Sequence, residues 1–195
     1  MSSDRLIAVT GGIGSGKSIV CRILSAIGYD VYDCDSRAKI IMDSSEEIKA
    51  RIAGEISNDV ISSEGIINRR KLAAIVFSDE MLLNRLNSIV HNAVKDDLCK
   101  WREGKQVAFV ETAILYQSGL DRCVDEVWEV TAPLEVRVER VCYRNCMPEE
   151  DVVKRIVSQD SYVPNELHPR ILTIVNDDAT ALLPEIERLI ENQIK

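Results

Sequence analysis

Apolar positions along the chain follow two periodicities, and the alternation between them predicts an architecture. Leu6-Ile7-Ala8-Val9 is a continuous apolar run, the pattern of a strand buried on both faces of a parallel sheet. A glycine cluster follows, after which Ile19, Val20, Ile23, Leu24 and Ile27 recur at helical spacing. They predict a helix over Lys17 to Ile27, closed by Gly28 in the left-handed region. Tyr29 to Tyr32 reads as a second strand ending in Asp33-Cys34-Asp35, and Val107 to Glu111, Glu126 to Val130 and Ile171 to Val175 read as further strands. Between Ser36 and Arg102 no comparable strand occurs. Leu72, Ile75 and Val76, then Leu82, Leu83, Leu86, Ile89, Val90, Val94 and Leu98, predict consecutive helices there. Val136 to Ile156, broken at Met147-Pro148-Glu149-Glu150, predicts two helices, and Leu182, Ile186, Leu189 and Ile190 a closing one. Strands alternating with helices imply an α/β class: three layers, with helices on both faces of a parallel sheet.

Composition narrows the function classes. The 195 residues are 46% hydrophobic and 29% charged, ordinary globular usage that removes support for disorder. Against 24 Lys and Arg stand 32 Asp and Glu, a net charge of -8, so neither a nucleic-acid-coating protein nor a membrane-surface protein is expected. Any anionic ligand must be met by local charge. The first apolar run is too short for a signal peptide or a membrane span, which predicts a cytoplasmic protein. The six cysteines lack a CxxC pair and are expected reduced, with Cys142 and Cys146 at most half of a metal site.

Gly11-Gly12-Ile13-Gly14-Ser15-Gly16-Lys17-Ser18 satisfies G-x-x-x-x-G-K-[ST] between a predicted strand and a predicted helix, the setting a phosphate-binding P-loop requires. A plain glycine turn needs one or two glycines; this segment holds four of the chain's nine. Glycines let successive N–H groups converge on phosphate oxygens, and the following helix adds its positive end. Gly12, Ile13, Gly14, Ser15 and Gly16 would form the cradle, and Lys17 would bring a movable charge to the outer phosphates. Ser18 would place its hydroxyl on Mg²⁺. A nucleoside triphosphate with Mg²⁺ is the expected ligand.

The chain lacks the D-x-x-G and N-K-x-D signatures of GTPases. Arginines at 137, 140, 144 and 155 and Lys154 concentrate positive charge in the predicted helix pair, as a lid over phosphates would. Asp33 and Asp35 follow the second strand and could deprotonate or orient an acceptor hydroxyl. Asp35 could equally be the N-cap of the next helix. Glu111, at the end of a buried strand, could hold a magnesium-bound water or be a solvated strand end. Arg140 and Arg144 could also form a solvated face paired with Glu139 or Glu150.

T-G-G-I-G-S-G-K-S with D-C-D downstream closely resembles the dephospho-coenzyme A kinase family, whose reaction phosphorylates the ribose 3′-hydroxyl of dephospho-CoA with ATP. The resemblance continues through Glu64-Gly65-Ile66-Ile67-Asn68-Arg69-Arg70-Lys71-Leu72, similar to D-G-x-[IL]-x-R-x-x-L, and Leu86-Asn87-Ser88-Ile89-Val90-His91. It extends to Arg140-Val141-Cys142-Tyr143-Arg144, Arg155-Ile156-Val157-Ser158-Gln159 and Ile174-Val175-Asn176-Asp177. The resemblance implies a P-loop NTPase fold over residues 1–195, with a helical acceptor-binding insertion at about 57–102 and a lid at about 138–165. It implies Asp35 as general base, Lys17 as the phosphate lysine, Arg140 and Arg144 as lid charges and Asn176 at the nucleotide. Asp33, Asp35, Lys39, Arg70, His91 and Gln117 are expected at the acceptor, and Ser18 and Glu111 at the metal. His91, flanked by Ile89 and Val90, also fits a packed helix histidine.

Four positions, Ala113, Gln117, Asn92 and Ile171, depart from the family's pattern. Ala113-Ile114-Leu115-Tyr116-Gln117 stands where P-[LI]-L-[FY]-E is usual, Asn92 replaces the proline of H-P, and Ile171 aligns with an acidic residue. A shikimate- or gluconate-type kinase is the alternative enzyme, although some seventy helical residues between the second and third strands favour a large acceptor. A regulatory nucleotide-binding protein is the alternative outside enzymes. The expected assembly is a monomer or a weak homo-oligomer.

Overall fold

The computed structural model describes residues 4–194, which form two compact units: residues 4–32 with 104–194, and Asp33–Glu103. The first is built on a five-stranded sheet of β1 (Arg5–Thr10), β2 (Asp30–Asp33), β3 (Val107–Glu111), β4 (Glu126–Thr131) and β5 (Ile171–Val175), in the order β2-β3-β1-β4-β5. β1 runs parallel to β3 and β4, and β4 parallel to β5. Consecutive residues Leu6 to Val9 are all buried, as the unbroken apolar run predicts. Helix α1 (Lys17–Ala26) and the closing helix, Leu182–Ile194, bury Val20, Leu24, Ile186 and Leu189 against Ile7, Val9, Phe109, Trp128 and Val130. The Phe109 and Trp128 rings meet at 5.0 Å between centroids. Each fully buried side chain of this size contributes about 1.5–3 kcal/mol through burial.

The second strand starts one residue later than the apolar pattern predicts. Tyr29 donates its N–H to the carbonyl of Leu24 (3.0 Å) and Gly28 donates to Ser25 (3.2 Å), so α1 ends in a Schellman motif and Tyr29 is spent closing it.

Two further helices, Leu134–Asn145 and Glu149–Asp160, each follow a proline at the N-cap, where the missing N–H costs nothing. They pack on one another through Val138, Val141, Val152 and Ile156. The segment expected as a lid, about 138–165, comprises most of this pair and the loop after it.

The second unit is helical. Its members are α2 (Cys34–Ser44), α3 (Glu46–Glu55), α4 (Arg69–Val76) and α5 (Glu80–Trp101). The remaining helices of the first unit are then α6 (Leu115–Ser118), α7 (Leu134–Asn145), α8 (Glu149–Asp160) and α9 (Leu182–Ile194). Asp33, Ser45, Asn68 and Asp79 cap α2, α3, α4 and α5 with side-chain oxygens, each replacing a missing intrahelical partner worth ~1 kcal/mol. Ile48, Ile52, Val60, Ile67, Leu72, Val76 and Ile89 form the core. The Arg37 guanidinium donates twice to Asp97, at 2.9 and 2.7 Å, tying α2 to α5. The unit contains all of residues 57–102 and begins at Asp33.

Candidate phosphate-binding site

The Gly11–Ser18 loop leaves β1 and enters α1. Gly16 is the N-cap of α1 with φ +95°, and a Cβ there would sit 1.9 Å from the Asn176 amide nitrogen. That amide donates to the Ser15 carbonyl at 2.8 Å, and Asn176 is buried just past β5. Gly14 has φ +81° and lies so near the backbone of α7 that a Cβ would fall 2.6 Å from the Arg137 carbonyl oxygen. The loop is therefore packed from both sides, by backbone and by the buried, hydrogen-bonded Asn176 amide, which fixes the path its N–H groups follow.

Three cations converge on the loop. Lys17 Nζ donates to the carbonyls of Gly11 (2.9 Å) and Gly12 (3.2 Å). Arg140 donates to the carbonyls of Gly14 (3.3 Å), Ser15 (3.4 Å) and Asn176 (3.1 Å), to the Asn176 side-chain oxygen (3.2 Å), and to Asp178. Arg137 Nε donates to the Ile13 carbonyl at 2.8 Å while its terminal nitrogens donate to both oxygens of Asp160, at 2.9 and 3.0 Å. In a chain of net charge -8 this is the local positive field that an anionic ligand requires.

Ile13 is held at three points. Its N–H donates to Gln159 Oε1 at 2.6 Å, its carbonyl accepts from Arg137, and its side chain packs against the α7–α8 cluster. Gln159 Nε2 in turn donates to the Ala113 carbonyl at 3.1 Å. Beside the loop a cavity of about 390 Å³ is lined by Gly11, Gly12, Ser15, Gln117, Arg137 and Gln159, among others. Tyr116 also faces it; burial pushes its hydroxyl above the usual phenol value, so it stays neutral.

Among the expected residues, the structure brings together the loop, Lys17, Arg140 and Asn176. Ser18 is half-buried at the first turn of α1, and Glu111 ends β3 opposite Val9. Gln117 is exposed at the cavity wall. Arg144 is exposed, donates to Asn145 at 3.2 Å, and makes no hydrogen bond or ion pair with the loop among the described residues. Neither Arg140 nor Arg144 pairs with Glu139 or Glu150 among the described residues. Arg137 and Gln159 figure in the sequence only as one charge of the helix pair and as the end of a family-like segment, and Asp160 not at all; the structure sets all three against the loop or its braces. Their signals were an arginine three residues before Arg140, on the same helical face, and the Gln of the R-[IL]-x-x-Q segment.

In the helical unit, the N-cap reading of Asp35 is corrected. Asp33 is the cap, accepting from the N–H groups of Asp35 (2.9 Å) and Ser36 (3.1 Å), because the helix starts at Cys34. The Asp35 carboxylate is exposed, on the first turn of α2, without a hydrogen-bond partner among the described residues. Lys39 and Arg70 are exposed, whereas the adjacent Arg69 donates to Asp43 at 2.9 Å and to the Lys39 carbonyl at 3.1 Å.

His91 is half-buried on α5; burial, aided by the Lys95 charge, holds its imidazole below the usual value of about 6.5. As pH falls through about 6.5 the unfolded chain takes up a proton that the native imidazole resists, so stability should drop on acidification. His91→Gln removes that contribution. Thermal unfolding between about pH 5 and 7.5 should give a shallower acid loss for the variant than for the wild type, and parallel curves would contradict the burial effect.

The sequence profile of the dephospho-CoA kinase family matches residues 5–181. The dephospho-CoA kinase of Porphyromonas gingivalis is 39% identical over 187 residues, covering 95% of this chain and 92% of that one. A Thermus thermophilus protein solved as TT1252 superposes with a TM-score of 0.74 at 31% identity, covering 98% of this chain and 97% of that one. The dephospho-CoA kinase of Campylobacter jejuni, at 22% identity, shares the fold with a TM-score of 0.66 over 96% of each chain. No helix among the described residues is long and apolar enough to cross a membrane.

Proposed function

The chain belongs to the dephospho-CoA kinase family, and we propose that it transfers the γ-phosphoryl group of ATP to the ribose 3′-hydroxyl of dephospho-CoA, giving CoA and ADP in the cytoplasm. The observation that carries the reading is the P-loop itself. Its glycines are locked by Asn176 and the α7 backbone, and Lys17 and Arg140 bind its carbonyls. Phosphoryl transfer runs through a loose transition state with charge spread over the equatorial oxygens, so positioned cations do most of the catalytic work.

In this reading Lys17 turns from the loop carbonyls to the outer phosphates and neutralises charge as the γ-phosphoryl leaves. Arg140, and Arg144 from the same helix, add charge from the α7 side. Asp35 accepts the proton of the acceptor hydroxyl, a weak nucleophile that gains from a carboxylate base. Asp33, Lys39, Arg70, His91 and Gln117 are assigned to acceptor recognition. The hydroxyl of Ser18 and the carboxylate of Glu111 are hard oxygen donors that suit Mg²⁺, which, when bound, spreads the charge shared by the outer phosphates.

Incubation with ATP and dephospho-CoA followed by ³¹P NMR tests the reading. A new phosphomonoester on the ribose 3′-carbon supports it. ATP hydrolysis to ADP and inorganic phosphate with unchanged dephospho-CoA would contradict it.

A further inference from the structure

Arg137 braces the loop and adds to its positive field but has been given no ligand contact of its own, yet its guanidinium lines the cavity beside the loop. It lies so near Gly12 that a Cβ there would stand 2.2 Å from its terminal nitrogen. Lys17 Nζ binds the carbonyl of that same Gly12, so two cations flank one loop residue. Both Arg137 and its counter-ion Asp160 line the 390 Å³ cavity into which the loop opens. Of the guanidinium's five N–H bonds, three are used among the described residues, one to Ile13 and two to Asp160, which leaves two there without a partner. The Arg137 side chain is only 12% exposed, while Asp160 is 46% exposed.

We propose that Arg137 is a phosphate-contacting residue for the terminal phosphate of the bound triphosphate, held in place by Asp160 until the ligand arrives, and that it discriminates triphosphate from diphosphate. The proposal rests on the kinase reading above. Two adjacent cations repel unless an anion sits between or beside them, and Asp160 is that anion in the unliganded protein. An ion pair with one half-exposed partner is weak. A terminal phosphate brings more charge and three acceptor oxygens to the same fork, and bidentate arginine–phosphate pairs are among the strong hydrogen bonds. The spare N–H bonds let Arg137 engage phosphate while Nε stays on Ile13, so the loop keeps its brace during the exchange. A diphosphate lacks the group that would reach this position.

Calorimetric titration of the full chain with ATP and with ADP tests this in Arg137→Gln and Asp160→Asn, with folding checked by thermal unfolding. Arg137→Gln should weaken ATP binding about tenfold, equivalent to ~1.4 kcal/mol, and ADP binding less than about twofold. Asp160→Asn removes the competing charge and should tighten ATP binding about two- to fivefold, with ADP unchanged. If Arg137 only braces the loop, Arg137→Gln weakens both nucleotides in parallel and Asp160→Asn weakens ATP, and either result overturns the inference. Wild-type protein that binds neither nucleotide would remove the kinase reading as well. Wild-type binding with an unchanged ATP to ADP ratio in Arg137→Gln would remove the Arg137 role alone.

Discussion

Lys17→Ala should reduce phosphoryl transfer at least about a hundredfold while the protein remains folded. Removing one preorganised donor from a site of developing charge typically costs about 2.7–4 kcal/mol of transition-state stabilisation. Lys17 is a stronger donor than most, because it carries a full charge in a loop already aligned by Asn176 and α7. Stability has less to lose. Lys17 Nζ donates to the carbonyls of Gly11 and Gly12, both half-buried residues that water can reach when the ammonium is gone. A change in unfolding free energy of about 1 kcal/mol or less is expected. Turnover and thermal unfolding measured on one preparation check both halves, and near-normal turnover in a folded variant would remove the P-loop assignment.

Asp35→Asn should lose most turnover, about 10²- to 10⁴-fold, with ATP binding preserved. The structure makes this substitution cleaner than the sequence alone suggested. The cap of α2 is Asp33, so replacing Asp35 leaves both capping bonds in place. An exposed carboxylate on a first helical turn contributes a few tenths of a kcal/mol through the helix dipole, and that is the stability loss expected. Asp33→Ala, unlike Asp35→Asn, should lower stability by about 1 kcal/mol through loss of the cap. Preserved catalysis in Asp35→Asn would assign the base to another group.

Strands were the most legible feature of this sequence, for a physical reason. β3 coincides with its apolar run, Val107–Glu111, because its central residues Ala108 to Val110 are buried without a break, and the edge strand β5 coincides with Ile171–Val175 through its β-branched composition, with Ile174 buried. β2 shifted by one residue because the N–H of Tyr29 serves the end of α1, a backbone demand that side-chain hydrophobicity does not record. Helices α2 and α3 had no clear periodic stripe. Cys34 is the only buried residue of α2, and both helices owe their starts to the caps Asp33 and Ser45. The P-loop was fully legible, since its letters describe local backbone geometry. The residues that hold it were not: Gln159 and Arg137 meet Ile13 across separations of 146 and 124 residues, and no local pattern encodes such a meeting. Arg140 is legible as one of the charges concentrated in the predicted helix pair and Asn176 only through the resemblance, and the hydrogen bonds of both to the loop give them a physical basis.

ADP release by the wild-type chain, measured with dephospho-CoA, with shikimate and with no acceptor, tests the central claim most directly. The account predicts ADP release that depends on dephospho-CoA, saturates with it, and stays at the acceptor-free rate with shikimate. Equal ADP release in all three conditions, or none in any, would contradict it.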